Sequence, residues 1–104
     1  HTGVFEAAVA AVEAVDDAAE RVVEAARAAG YGVTVLADHG NADRMRNPDG
    51  SPHTAHTLAL VPHLVVHPAV TAPPRDGKLG DVAPTILRLM GLAAPPEMTG
   101  EVLV

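Results

Sequence analysis

Between residues 4 and 29 the apolar positions Phe5, Ala8, Val9, Val12, Val15, Ala19, Val22, Val23 and Ala26 recur at the three-then-four spacing of a single helix face. This predicts a long amphipathic helix, 4–29, rich in alanine, the best helix former. Asp17 with Arg21 and Glu24 with Arg27 fall at helical neighbour spacings on the opposite side, a solvated face. Gly30 stands where such a helix stops, and Tyr31-Gly32 turns the chain. The β-branched run Val33-Thr34-Val35-Leu36-Ala37 then predicts a buried strand at about 32–37. From Asp38 to Thr57 polarity rises and periodicity is lost, with Asn47-Pro48-Asp49-Gly50 as a turn, so a long loop is expected. A second strand is predicted at about 61–67 from Leu64, Val65 and Val66, with Pro62 marking its start or a sheet edge. The Pro- and Gly-rich stretch 68–80 is expected to be a loop, Arg75-Asp76-Gly77-Lys78 forming a solvated turn. Asp81 is placed as the N-cap of a helix over about 82–90, with Pro84 in its first turn, Leu87 and Met90 in the core and Gly91 as its stop. The tail, 92–104, is expected to add a short closing element. Long helix, strand, loop, strand and helix define an α/β chain in which a sheet is flanked by helices.

Composition narrows what such a chain can do. Its 104 residues suffice for one modest core and not for two domains. It opens on His1-Thr2-Gly3 without an initiator Met, and the expectation is a segment of a longer protein. A net charge of −6 without clustered Lys or Arg argues against nucleic acid as a partner. The absence of Cys excludes disulfides and thiolate metal sites. No apolar run approaches the roughly 18 residues of a membrane span and no leader pattern appears, so a soluble, cytoplasmic protein without a membrane partner is expected.

The candidate chemistry lies in the loop. Asp38-His39-Gly40-Asn41 follows the first strand directly, and a strand end in an α/β sheet is where binding groups converge. A carboxylate beside an imidazole offers oxygen and nitrogen to a divalent cation, a donor pair that suits manganese, zinc and other ions. Neighbouring side chains leaving a strand point opposite ways, which favours two ions, or one ion with a supporting contact; a bend in the loop would let both reach one ion. His53 and His56, in Pro52-His53-Thr54-Ala55-His56-Thr57, are three apart, and a turn or short helix would put both rings on one face. For His53, ligation and a loop-packing role weigh equally. His63 and His67 alternate with neither motif and are expected to be exposed or capped strand histidines.

In combination these residues resemble one family. Leu36 to Met45, Pro52 to Thr57, Val61-Pro62, Asp81-Val82-Ala83-Pro84-Thr85-Ile86-Leu87 and Glu97-Met98-Thr99-Gly100, with His1 to Ala8 at the start, look like the C-terminal portion of the cofactor-independent phosphoglycerate mutases of the alkaline phosphatase superfamily. The resemblance covers essentially the whole chain. It implies interconversion of 3-phosphoglycerate and 2-phosphoglycerate through a phosphoserine, in glycolysis and gluconeogenesis, with two manganese ions. It further implies that Asp38 and His39 ligate the manganese that also holds the serine, and that His1 and His56 ligate the other. The serine, the remaining ligands and the substrate-binding domain would then lie outside residues 1–104. This chain would be the C-terminal part of the metal-binding phosphatase domain, supplying ligands and inactive alone. Its partners would be the rest of the parent polypeptide and, in the complete enzyme, a phosphoglycerate; unpaired sheet edges would also favour self-association. Two departures are local: Leu58-Ala59-Leu60 stands where relatives often have Asn-Pro-Val, and His63 and His67 stand in an otherwise apolar strand. Two alternatives remain: another phosphomutase or phosphatase of the superfamily, and a non-catalytic metal-binding module that kept the histidines.

Overall fold

A computed structural model describes residues 2–104; His1 lies outside the described residues. The chain is α/β, with elements in the order α1 (Phe5–Ala28), β1 (Val33–Leu36), β2 (His63–Val66), the 3-10 turn Leu79–Asp81 and α2 (Val82–Leu89). Each predicted helix and strand forms, trimmed by one or two residues at its ends. The chain divides into two compact units, His1–Tyr31 with Leu36–Pro62, and Gly32–Val35 with His63–Val104.

In the first unit, α1 runs for 24 residues and ends where Gly30 takes a positive φ of 82°. The Tyr31 amide donates to the Ala26 carbonyl and the Gly30 amide to Arg27, so the last-turn acceptors are satisfied by the reversal itself. No residue of α1 is fully buried. Phe5, Val9, Val12, Val15 and Val22 of the predicted apolar face are all exposed. The hydrophobic pattern is present, but this unit offers no second layer to cover it. On the polar face Arg21 Nε donates to the Asp17 carbonyl at 3.3 Å.

The second unit holds Val33–Val35 of β1 and all of β2, the two strands of the one sheet found among the described residues. Pro62 stands immediately before β2, in keeping with a proline at a strand start. β1 was expected to be buried, yet Val33, Thr34 and Val35 are only half-buried and Leu36 is exposed. A strand reaches full burial only with neighbours and covering layers on both faces, and two strands cannot provide them.

Around α2 the core is small and largely polar. Leu103 is 4% exposed, and beside it Pro84, Thr85 and Asp81 are buried. Asp81 does not cap α2 with its side chain as expected. The carboxylate turns back instead: Oδ2 accepts the Lys78 amide at 2.9 Å and Oδ1 the Glu101 amide at 2.9 Å. These donors, Lys78 first and Glu101 second, hold the carboxyl below its usual range against an opposing effect of burial. Thr85 Oγ1 donates to the Asp81 carbonyl at 2.7 Å and accepts the Leu103 amide at 3.0 Å. The tail is therefore fastened by side chains and forms no regular element after Gly91. Arg75 is exposed, as a solvated segment requires, and it also ties the tail: its guanidinium donates to the Val102 carbonyl and its amide to the Leu103 carbonyl. Met90, expected in the core, is 65% exposed, and Leu87 is half-buried. The C-terminal end of α2 has no layer above it within this unit.

Candidate metal centre

The site belongs to the first unit and is built from the two ends of the loop that follows β1. Asp38 and His39 leave the strand with Asp38 Oδ1 and His39 Nε2 at 3.5 Å, the carboxylate largely open to solvent and the imidazole mostly covered. His39 Nδ1 lies 3.0 Å from its neighbour's carbonyl, Gly40 O, to which it donates in the Nδ1-protonated tautomer. From the far end of the loop His56 stacks on His39, with ring centroids 3.5 Å apart and 15° between the planes.

Three of the four predicted ligands, Asp38, His39 and His56, are thus brought together. The fourth, His1, lies outside the described residues. The donors are chemically apt for a hard or borderline divalent ion, oxygen from one side chain and imidazole nitrogen from two. Their geometry favours a division between ions. Two imidazoles lying nearly face to face cannot both aim an in-plane lone pair at one ion about 2.1 Å from each nitrogen. Accordingly, no group of three or more His, Asp or Glu among the described residues could hold a single ion. The residues present fit partial sites that need further ligands.

His53 does not join this set as its spacing suggested. Residues 53–56 form no helical turn, the local geometry on which the shared-face expectation rested. His53 is half-buried, and its Nδ1 is sealed from solvent without a hydrogen-bond partner among the described residues. In the second unit His63 is half-buried in β2 with Nε2 likewise sealed, not exposed as expected. His67 lies one residue past β2 and is capped, its Nδ1 accepting the Ala69 amide at 3.1 Å.

The residues that close the loop on itself were given no role by the sequence. Gly40 and Thr57 form an isolated bridge, with the Thr57 amide donating to the Gly40 carbonyl at 2.8 Å. Thr57 Oγ1 donates to Asp43 Oδ1 at 2.7 Å, and Asn41 Nδ2 donates to the Ala55 carbonyl at 3.2 Å. A second bridge, Arg46 with Pro52, pairs the strands of the loop further out, and the turn between them is stapled by Asp49. The Ser51 hydroxyl donates to Asp49 Oδ1 at 2.6 Å and its amide at 3.0 Å, and these donors hold that carboxyl below its usual range. Gly40 is the one buried residue of the loop, and its backbone is ordinary. A Cβ there would strike the Thr57 hydroxyl and come within 2.7 Å of Asp43 Oδ1, so glycine is needed for closeness and not for conformation. The available signal was chemical: short polar side chains flanking a histidine motif are the ones that tie loops to backbone.

An α/β chain that gathers a carboxylate and imidazoles just beyond a strand has the make-up of a metal-dependent enzyme. Comparison with protein families agrees, since the metalloenzyme superfamily pattern matches residues 1–94; the chain belongs to that superfamily. It is 68% identical over its whole length to a 2,3-bisphosphoglycerate-independent phosphoglycerate mutase of Salinibacter ruber, 20% of which it covers. Mutases of the same name from Bacteroides thetaiotaomicron and Caenorhabditis elegans are each 52% identical across all of this chain, which covers 21% and 20% of them. The chain spans about a fifth of the length of these curated relatives.

Proposed function

We propose that this chain is the C-terminal part of the metal-binding phosphatase domain of a 2,3-bisphosphoglycerate-independent phosphoglycerate mutase, an isomerase of glycolysis and gluconeogenesis in the cytoplasm. The observation that carries the reading is the meeting of His56 with the Asp38–His39 turn, in a chain similar from end to end to enzymes of that name. In this reading Asp38 and His39 hold one manganese ion, and His56 with His1 holds the other. The stacked rings support assigning His39 and His56 to different ions. Gly3 packs so tightly on Pro52 that a Cβ there would lie 2.5 Å from the proline Cβ. The segment leading into α1 therefore meets the loop that carries His56.

When bound, manganese supplies Lewis acidity for moving a phosphoryl group between the two hydroxyls of a phosphoglycerate through a phosphoserine carried elsewhere in the parent. The part played by this chain is positioning. Asp38 and His39 are fixed by the strand they leave, and His56 by the bridge between Gly40 and Thr57. Two ligands per ion make an incomplete shell, so the isolated chain is inactive and holds metal weakly.

The test is mutase activity of the full reading frame containing this segment, coupled to enolase, with manganese and without 2,3-bisphosphoglycerate, beside the 104-residue chain alone. Turnover is expected only in the longer protein. If the longer protein is inactive with phosphoglycerate yet hydrolyses other phosphate esters, the assignment moves to another phosphatase or phosphomutase of the superfamily.

A further inference from the structure

His56 is held from both sides by residues that are not themselves ligand candidates. Immediately before it, the Ala55 carbonyl accepts Asn41 Nδ2 at 3.2 Å. Immediately after it, Thr57 is tied twice, by its amide to the Gly40 carbonyl at 2.8 Å and by its hydroxyl to Asp43 Oδ1 at 2.7 Å. The Thr57 hydroxyl also accepts the Ala59 amide at 3.4 Å, which extends the same tie into the chain that follows. All of the anchoring groups, Gly40, Asn41 and Asp43, come from the few residues that follow His39. The loop thus returns to the place from which it left, and it delivers His56 against His39 with ring centroids 3.5 Å apart.

We propose that Asn41, Asp43 and Thr57 are positioning residues for the metal centre: together they fasten the backbone on either side of His56 to the Asp38–His39 turn, and so set the imidazole at its ion. The inference rests on the reading of His56 as a ligand. Its physical basis is loop entropy. The His56 segment is irregular, and without the ties an extended loop would carry the ring over many positions. A ligand that must be gathered on binding gives a weaker site than one already held. Groups that orient metal ligands commonly change affinity by about 10- to 100-fold when removed. The side-chain ties of Asn41, Asp43 and Thr57 flank His56 directly, whereas Asp38 and His39 follow β1 in the chain, so their loss should be felt at the ion that His56 holds more than at the other.

The experiment measures manganese binding to the full-length parent by calorimetry and by the electron paramagnetic resonance signal of bound Mn2+, with unfolding midpoints recorded in parallel. Thr57→Val removes the hydroxyl at constant volume and is expected to weaken one of the two ions about 10- to 100-fold and the other less. Thr57→Ser restores the hydroxyl and should bring that affinity back to within a few-fold. Asn41→Ala, which removes a tie on the opposite side of His56, should act on the same ion and covers the case in which Thr57→Val fails to fold. His56→Ala separates the proposal from the reading beneath it. If His56→Ala leaves both ions intact, the ligand assignment fails and the positioning role falls with it. If His56→Ala weakens one ion while Thr57→Val and Asn41→Ala weaken neither, or weaken both equally, the positioning role alone is overturned.

Discussion

At the scale of single residues, the best-determined chemistry outside the metal centre is the pair Asp81 and Thr85. Thr85 is buried and uses its hydroxyl twice, toward the Asp81 carbonyl and from the Leu103 amide. Thr85→Val keeps the shape and removes both bonds, stranding a buried amide, which costs about 1–3 kcal/mol. In the full-length parent this should appear as faster amide exchange at Leu103 and a lower unfolding midpoint, whereas Thr85→Ser should retain most of the stability. Asp81 predicts a pH dependence. Its carboxyl lies below the ordinary value of 3.8 when folded, so its stabilising effect is complete above that value and is lost as pH falls through the lower folded one. Asp81→Asn should destabilise at neutral pH and flatten the loss of stability that sets in as pH falls below the ordinary carboxylate value of 3.8. An equally steep acid transition in the variant would show that other carboxylates carry it. Gly40 makes a third case, since Gly40→Ala should break the Thr57 tie by contact alone and lower manganese affinity.

At the scale of elements, both helices end by the same device. Gly91, at φ 72°, reverses the chain after α2, with the Leu92 amide on the Leu87 carbonyl and the Gly91 amide on Arg88, just as Gly30 does after α1. A Cβ at either glycine would meet nothing within 4 Å, so the cost of alanine there is that of the left-handed backbone alone, about 1–2 kcal/mol. Gly91→Ala and Gly30→Ala should therefore lower stability by similar amounts, and Gly91→Asn by less, in denaturant titrations. Both stops were legible in the sequence, because a glycine closing a periodic run is a local signal. Asp81 shows the converse. Its position before α2 suggested a cap, but its carboxylate found amides at Lys78 and Glu101, and no local pattern reveals that a tail will return twenty residues later.

At the scale of the whole molecule, the apolar stripe of α1 has too little to cover it. Phe5, Val12, Val15 and Val22 are each more than half exposed, and after the loop Leu58 and Leu60 are almost wholly so. Among the described residues no helix is long and apolar enough to cross a membrane. A chain that covers about a fifth of its relatives leaves most of a parent's packing partners elsewhere. The isolated 104-residue chain is expected to associate with itself as concentration rises, in sedimentation velocity, and to bind a hydrophobic dye. Val12→Glu with Val15→Lys should reduce both. A dye-silent monomer at all concentrations would show that the stripe is covered in solution.

The sequence by itself determined the elements and their stops, because periodicity and glycine at a helix end are properties of neighbouring residues; donor chemistry pointed to Asp38, His39 and the His53–His56 pair, and the family resemblance narrowed these to Asp38, His39, His56 and His1. It also carried the family, through motifs spread over the whole chain. Only the tertiary structure decided which histidines meet. His56 stacks on His39, and the bonds of Asn41, Asp43 and Thr57 hold the backbone on either side of it, while His53, three residues away, carries a buried Nδ1 without a hydrogen-bond partner among the described residues. It likewise decided that Met90 and the α1 residues Val9, Val12, Val15 and Val22 stay exposed. An apolar residue is buried only when something packs on it, and that depends on every other part of the fold.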